Sequence, residues 1–182
     1  PDRAVMTPVI VGSEGFEVSH APERYLALTD EQARALYADP DFDYVRRYVF
    51  TPNESIMGAL QLSNARMDTD YQRHIAMALA LEVCDQVFDK FAQLTGRCYG
   101  AVQAWNEKAP TLFVVAGAAH GTFEEVAREF ASIGVEVGVL HPNLLRPFPK
   151  AEWAKLINGK HVFVYDRDDP FGAVGGRLYT EL

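Results

Sequence analysis

Thr111-Leu-Phe-Val-Val-Ala116, Gly117-Ala-Ala-His-Gly121 and Thr122-Phe-Glu-Glu125 are consecutive, and their reading decides the fold. The first run is apolar and rich in β-branched residues, as in a strand buried on both faces. The glycines break it. Thr122 and Glu125 then have the spacing of a capping box, which predicts a helix opening at Thr122. Val126, Phe130 and Ile133 give that helix one apolar face, and Gly134 supplies the left-handed residue that ends it. Working outward, Val135–Leu140 reads as a second strand, Lys150–Ile157 as a short helix and Lys160–Asp166 as a third strand. Arg177–Leu182 is expected to be a fourth strand. Alternating strands and helices imply right-handed crossovers and an α/β fold, with a mostly parallel sheet and helices on both faces.

Upstream, Cys98–Trp105 is expected to be a strand. Thr69-Asp-Tyr-Gln72 reads as the cap of a long helix running to about Leu94 and closed by Gly96. Ile75, Leu79, Val83, Val87, Phe91 and Leu94 form its expected apolar stripe, which predicts packing against a sheet or a partner. Thr29-Asp-Glu-Gln32 is a second capping box, opening a short helix through Tyr37. Pro40–Ala65 has no sustained period and reads as an extended linker. Pro8–Gly12 has the composition of a strand.

The chain has 182 residues, a net charge of -8, 48% hydrophobic and 23% charged residues, the balance of a globular protein. Acidic residues outnumber basic ones in each third, so no basic stripe is available for nucleic acid. Cys84 and Cys98 are too few for a disulfide framework or an iron–sulfur cluster of about four thiolates, and point to a reducing cytoplasm. No apolar run approaches the ~18 residues of a membrane span, and no signal peptide is read. Pro1 leaves open a trimmed Met or a longer chain.

Two clusters carry candidate chemistry. Gly117, His120, Gly121 and Thr122 precede or open a helix, where free amides and the helix dipole favour an anion. Their spacing matches neither a dinucleotide fingerprint nor a phosphate-binding P-loop, and a tight turn is the alternative. Asp166-Arg-Asp-Asp169 follows a strand, where open α/β sheets bind ligands. It reads either as acid–base carboxylates or as a charged turn with Arg167 paired locally. The five histidines show no metal-ligand spacing.

Gly117-x3-Gly121-Thr122-x2-Glu125, Val137-Gly-Val-Leu140, Leu145-Arg-Pro-Phe-Pro149, and Val164-Tyr-Asp-Arg167 followed by Gly172-x2-Gly175 form an ordered set. That set resembles the C-terminal domain of the alpha subunit of 2-oxoacid:ferredoxin (or flavodoxin) oxidoreductases. Gly96-Arg-Cys-Tyr-Gly100, and Glu14-Gly-Phe16 with Ser19-His20, extend the likeness upstream. Thr95 and Glu14 depart from the usual Phe and Asp. The resemblance implies a transketolase C-terminal-like fold. It divides the chain into 1–28, the tail of a thiamine-binding domain or an N-terminal extension; 29–66, a linker with a short helix; and 67–182, the α/β domain.

The same resemblance implies a part in oxidative decarboxylation of a 2-oxoacid to acyl-CoA. Thiamine diphosphate, magnesium, iron–sulfur clusters and CoA would serve the whole complex, with beta and gamma/delta type subunits as partners and ferredoxin or flavodoxin as acceptor. It transfers no catalytic, cofactor-binding or metal residue to this chain. Arg146, Asp166 and Arg167 become interface candidates, Arg146 for its fixed bidentate geometry. A stand-alone binding or scaffold module of the same fold is the alternative.

Overall fold

The computed structural model describes Val5, residues 7–37 and residues 61–182. It contains two compact units, Pro1–Ile10 with Tyr25–Cys98, and Val11–Arg24 with Tyr99–Leu182.

In the first unit, α1 (Asp30–Tyr37) lies against the 33-residue α2 (Ser63–Thr95). The capping box forms as expected. Thr29 Oγ1 accepts the Gln32 amide N–H at 3.2 Å, and Gln32 Oε1 accepts the Thr29 amide N–H at 3.0 Å. Gln32 Nε2 also donates to the Leu94 carbonyl at 2.7 Å, and Lys90 Nζ donates to the Leu36 carbonyl at 3.2 Å. The same side chain therefore caps α1 and ties it to the end of α2. Gly96 closes α2 at φ +70°, as its position predicted.

Three expectations change here. The helix starts at Ser63, so Thr69 lies inside it and its hydroxyl donates back to the Ala65 carbonyl. Nothing between Ser63 and Asp68 breaks a helix, and that continuity overrides the internal capping signal. The expected stripe does not stay on one side. Four-residue steps advance about 40° each on a straight helix, so Ile75 and Phe91 end up about 160° apart. Ala76 and Ala80 are buried, while Ile75 and Leu79 are exposed. Val9–Val11 form no strand and are exposed. Most of the expected linker lies outside the described residues.

The second unit is a four-stranded sheet of β1 (Val102–Trp105), β2 (Thr111–Val115), β3 (Val137–Pro142) and β4 (His161–Tyr165), in the order β1-β3-β2-β4. β2 pairs in parallel with β3 and β4, and β1 runs antiparallel to β3 at one edge. The strand expected from Cys98 thus begins at Val102. α3 (Ala119–Ser132) covers one face of the sheet, packing with Val115, Val137 and Val139. α4 (Lys150–Ile157) and α5 (Arg177–Glu181) contribute Trp153 and Leu178 to the other, against Leu112, Val114 and Leu140. Alternation along β2 sends Leu112 and Val114 one way and Phe113 and Val115 the other, which is why both faces need helices. Trp153 is 1% exposed, and its Nε1 has no hydrogen-bond partner among the described residues. Burying an indole gains about 4–6 kcal/mol, more than the roughly 1–3 kcal/mol cost of an unmade hydrogen bond.

Two expectations change in this unit. α3 begins at Ala119, three residues before the expected cap, because the left-handed Gly117 (φ +75°) turns the chain directly into it. Arg177–Glu181 is a helix and not a fourth strand, because its amides are capped by the carboxylates described below.

Gly138 is required by a close approach. The turn after β1 places Asn106, at φ +49°, over β3, and Asn106 Nδ2 donates to the Val137 carbonyl at 3.0 Å. A Cβ on Gly138 would collide with the Asn106 carbonyl oxygen and meet Leu112 Cδ2 at 2.7 Å. Gly138→Ala is expected to cost about 1–3 kcal/mol, read as a lower thermal midpoint at unchanged helix content. An unaltered midpoint would mean that the turn gives way freely.

Candidate functional site

The carboxyl ends of β2 and β4 open onto the Gly117 turn and the 166–176 loop, the edge at which open α/β sheets take ligands. His141, near the end of β3, meets His120 from the first turn of α3, with ring centroids 4.3 Å apart. Asn143 Nδ2 donates to the Gly100 carbonyl at 3.0 Å, which turns its Oδ1 toward His141 Nδ1, also 3.0 Å away. His141 Nδ1 therefore carries the proton and donates it. His120 Nε2 lies 3.8 Å from Glu124, which also faces Arg128 at 3.7 Å.

Burial pushes the His141 pKa down, and the neighbouring His120 pushes the same way; Asn143 and Glu124 work against them. Sequence reading missed this pair. His120 and His141 are 21 positions apart, and only the parallel pairing of β2 with β3 brings them together.

The Gly117 turn uses its own amides. The His120 N–H donates to the Gly117 carbonyl at 3.2 Å, and the Gly121 N–H to the Ala118 carbonyl at 3.3 Å. Gly121 and Thr122 lie within α3.

At the end of β4, Asp166 accepts the Asp168 amide on Oδ1 at 3.1 Å and the Leu178 amide on Oδ2 at 2.7 Å. Asp168 Oδ2 accepts the Arg177 amide at 3.2 Å. A Cβ on Gly176 would meet Asp166 Cγ at 2.6 Å, so glycine lets the loop close on the carboxylate. Arg167 does not pair with its neighbouring aspartates. It reaches Glu14 at 3.8 Å and lies 5.0 Å over the Phe16 ring. Glu14 in turn accepts the amides of Phe16, Glu17 and Val18 at 2.9, 2.6 and 3.1 Å. These bonds, the Glu17 amide foremost, hold its pKa below the usual carboxylate value.

Ser19 Oγ donates to the Gly15 carbonyl at 2.9 Å and sits 2.8 Å from His20 Nδ1. With the hydroxyl proton committed, the imidazole N–H is the donor of that second bond, so this pair is not arranged as nucleophile and base. Arg146 pairs with Glu181 at 2.5 Å while remaining half exposed, and Arg177 reaches the same carboxylate at 3.1 Å.

Residues 109–182 match the family model described as pyruvate:ferredoxin oxidoreductase core domain II. The matched stretch contains β2, β3, β4 and the helices that cover them.

Similarity extends beyond core domain II. Pyruvate synthase subunit PorA of Methanothermobacter thermautotrophicus is 29% identical over 184 residues, covering 100% of this chain and 47% of the relative. PorA of Methanocaldococcus jannaschii is 30% identical, covering 98% and 46%. A probable pyruvate-flavodoxin oxidoreductase of Escherichia coli is 28% identical, covering 96% of this chain but 15% of the relative. The chain spans about half the length of its PorA relatives. Among solved structures, a 2-oxoglutarate:ferredoxin oxidoreductase from Magnetococcus marinus aligns at a TM-score of 0.47 and 19% identity, covering 64% of this chain and 20% of that one.

The pKa shifts set a pH profile. Both groups favour the deprotonated form in the folded state, so both contribute stability above their ordinary values. His141 loses its contribution as pH falls below 6.5 toward its lowered folded value, and Glu14 as pH falls below 4.5. Between pH 7.5 and 5.5 the thermal midpoint of the native protein is expected to fall more than that of His141→Gln. Parallel curves would show that the imidazole titrates alike in both states. Below pH 4.5, Glu14→Gln is expected to flatten the remaining slope.

Proposed function

We propose that the chain is a structural and assembly part of a thiamine-diphosphate-dependent 2-oxoacid:ferredoxin oxidoreductase acting in the cytoplasm. The observation that carries this reading is its similarity, over nearly its whole length, both to separate PorA subunits and to much longer pyruvate-flavodoxin oxidoreductases. The same stretch of about 180 residues thus recurs in a PorA subunit of which it covers 47% and in a pyruvate-flavodoxin oxidoreductase of which it covers 15%.

Thiamine diphosphate supplies the electron sink for decarboxylation when bound. The described residues do not fit it. No three metal-ligating side chains converge among them, and the amides of His120 and Gly121 are bonded to Gly117 and Ala118. Asp166 and Glu14 spend their carboxylates on backbone amides. In this reading the cofactor, its magnesium, the iron–sulfur clusters and CoA are held by other parts of the enzyme. The chain's own residues shape a rigid α/β body for beta and gamma/delta type subunits, with ferredoxin or flavodoxin meeting the whole complex.

Native and denaturing mass spectra of the protein purified with its co-expressed partner subunits test this. A complex retaining thiamine diphosphate and iron–sulfur mass, with 2-oxoacid- and CoA-dependent dye reduction, is the expected result. A chain that stays free beside an assembled, active enzyme would overturn the reading and leave a stand-alone module of the same fold.

A further inference from the structure

The first turn of α3 is the least secured part of that helix. Its N-cap, Ala118, gives no side-chain hydrogen bond to the free amides, and Thr122 and Glu125 lie inside the helix, where they cannot cap it. Gly117 before the turn and Gly121 within it are exposed, and glycine weakens a helix through its backbone freedom. A Cβ on Gly121 would meet nothing within 4 Å, so close packing does not require glycine there. Beyond the turn, Phe123 packs on Phe113 at 5.7 Å and on Tyr165 at 5.1 Å, and Ala127 is buried against the sheet. Among the described residues, the turn itself contributes Ala119 and the His120 ring.

The His120 ring lies against His141 at 4.3 Å and is tilted by 41°. His141 Nδ1 donates to Asn143 in both protonation states, so that bond survives proton uptake and the new charge enters through Nε2. Two titratable groups act on His141, and both come from α3: His120 and Glu124. Glu124 is shared, 3.8 Å from His120 and 3.7 Å from Arg128, whose guanidinium also lies 5.0 Å over the Trp105 ring of β1. On β1, the uncharged Gln103 stands opposite His141 in register. At the Gly117 turn, Glu14 Cγ lies 3.9 Å from the position of a Gly117 Cβ, and its carboxylate faces Arg167.

We propose that the His120–His141 contact is a pH-operated latch on the start of α3: proton uptake by His141 sets a positive charge against the His120 ring and the positive end of the helix, and residues 117–122 come away from β3 while the rest of α3 stays in place. Burial and then His120 favour the neutral form of His141 while the latch is closed, and release returns the group to its ordinary value of 6.5. The latch is therefore closed above pH 6.5 and loosens as pH falls below it. Acid thereby acts on the turn that leaves β2 at the ligand-taking edge of the sheet.

The test is hydrogen–deuterium exchange of the native protein as purified, read peptide by peptide at about pH 7.5 and about pH 5.5 and corrected for the intrinsic pH dependence of amide exchange. His141→Asn keeps a donor near Asn143 and cannot take the charge. Glu124→Gln removes a carboxylate that favours the charge. In the native protein, residues 117–122 are expected to exchange several-fold faster in acid, with residues 127–132 unchanged. That gain is expected to vanish in His141→Asn and to grow in Glu124→Gln, opposite directions that a loss of packing would not produce. Equal gains along the whole of α3, no gain in the native protein, a gain that survives in His141→Asn, or a smaller one in Glu124→Gln would each overturn the latch. Where His141→Asn does not fold, the direction of the Glu124→Gln effect decides alone.

Discussion

The carboxylate of Asp166 governs the end of the α/β unit. It stands where β4 leaves the sheet and takes two backbone amides, one from its own loop and one from α5. That converts Arg177–Glu181 from a candidate edge strand into a helix, and it sets Leu178 on the Trp153 side of the sheet. A charge-assisted bond to a backbone amide is worth more than a neutral one, and this one sits at a helix start, where a negative charge is favoured. Gly176 makes it sterically feasible.

Glu14 plays a similar part on a different loop. It gathers three successive amides of the 14–18 turn and faces Arg167, so the segment Val11–Arg24 is held in the α/β unit although more than seventy residues separate it from Tyr99. The ion pair itself is exposed on the arginine side and contributes little, roughly 0–1 kcal/mol. The amide bonds and the guanidinium over the Phe16 ring define the geometry. Asp166 and Asp168, which in sequence read either as acid–base carboxylates or as a charged turn, likewise accept backbone amides and shape their loop.

The His120–His141 contact differs from these. It joins a helix start to a strand end through two imidazoles, and His141 donates to Asn143, which is fixed from behind by Gly100. Burial and then the neighbouring His120 disfavour the charged form of His141. Proton uptake by His141 is thereby linked to the packing of α3 against β3.

Local signals determined the parts whose causes are local. The apolar run at Thr111, the reciprocal Thr29–Gln32 cap, the Lys150–Ile157 helix and the left-handed glycines at 96 and 134 all rest on contacts within a few residues, and each is found. The family likeness was legible because ordered loops and strands share one chain direction. Tertiary structure alone decided the helical tail, the antiparallel β1, the early start of α3, the partner of Arg167 and the meeting of His120 with His141. Each depends on a carboxylate, ring or strand that arrives from elsewhere in the sequence, and periodicity within a window cannot register such a contact.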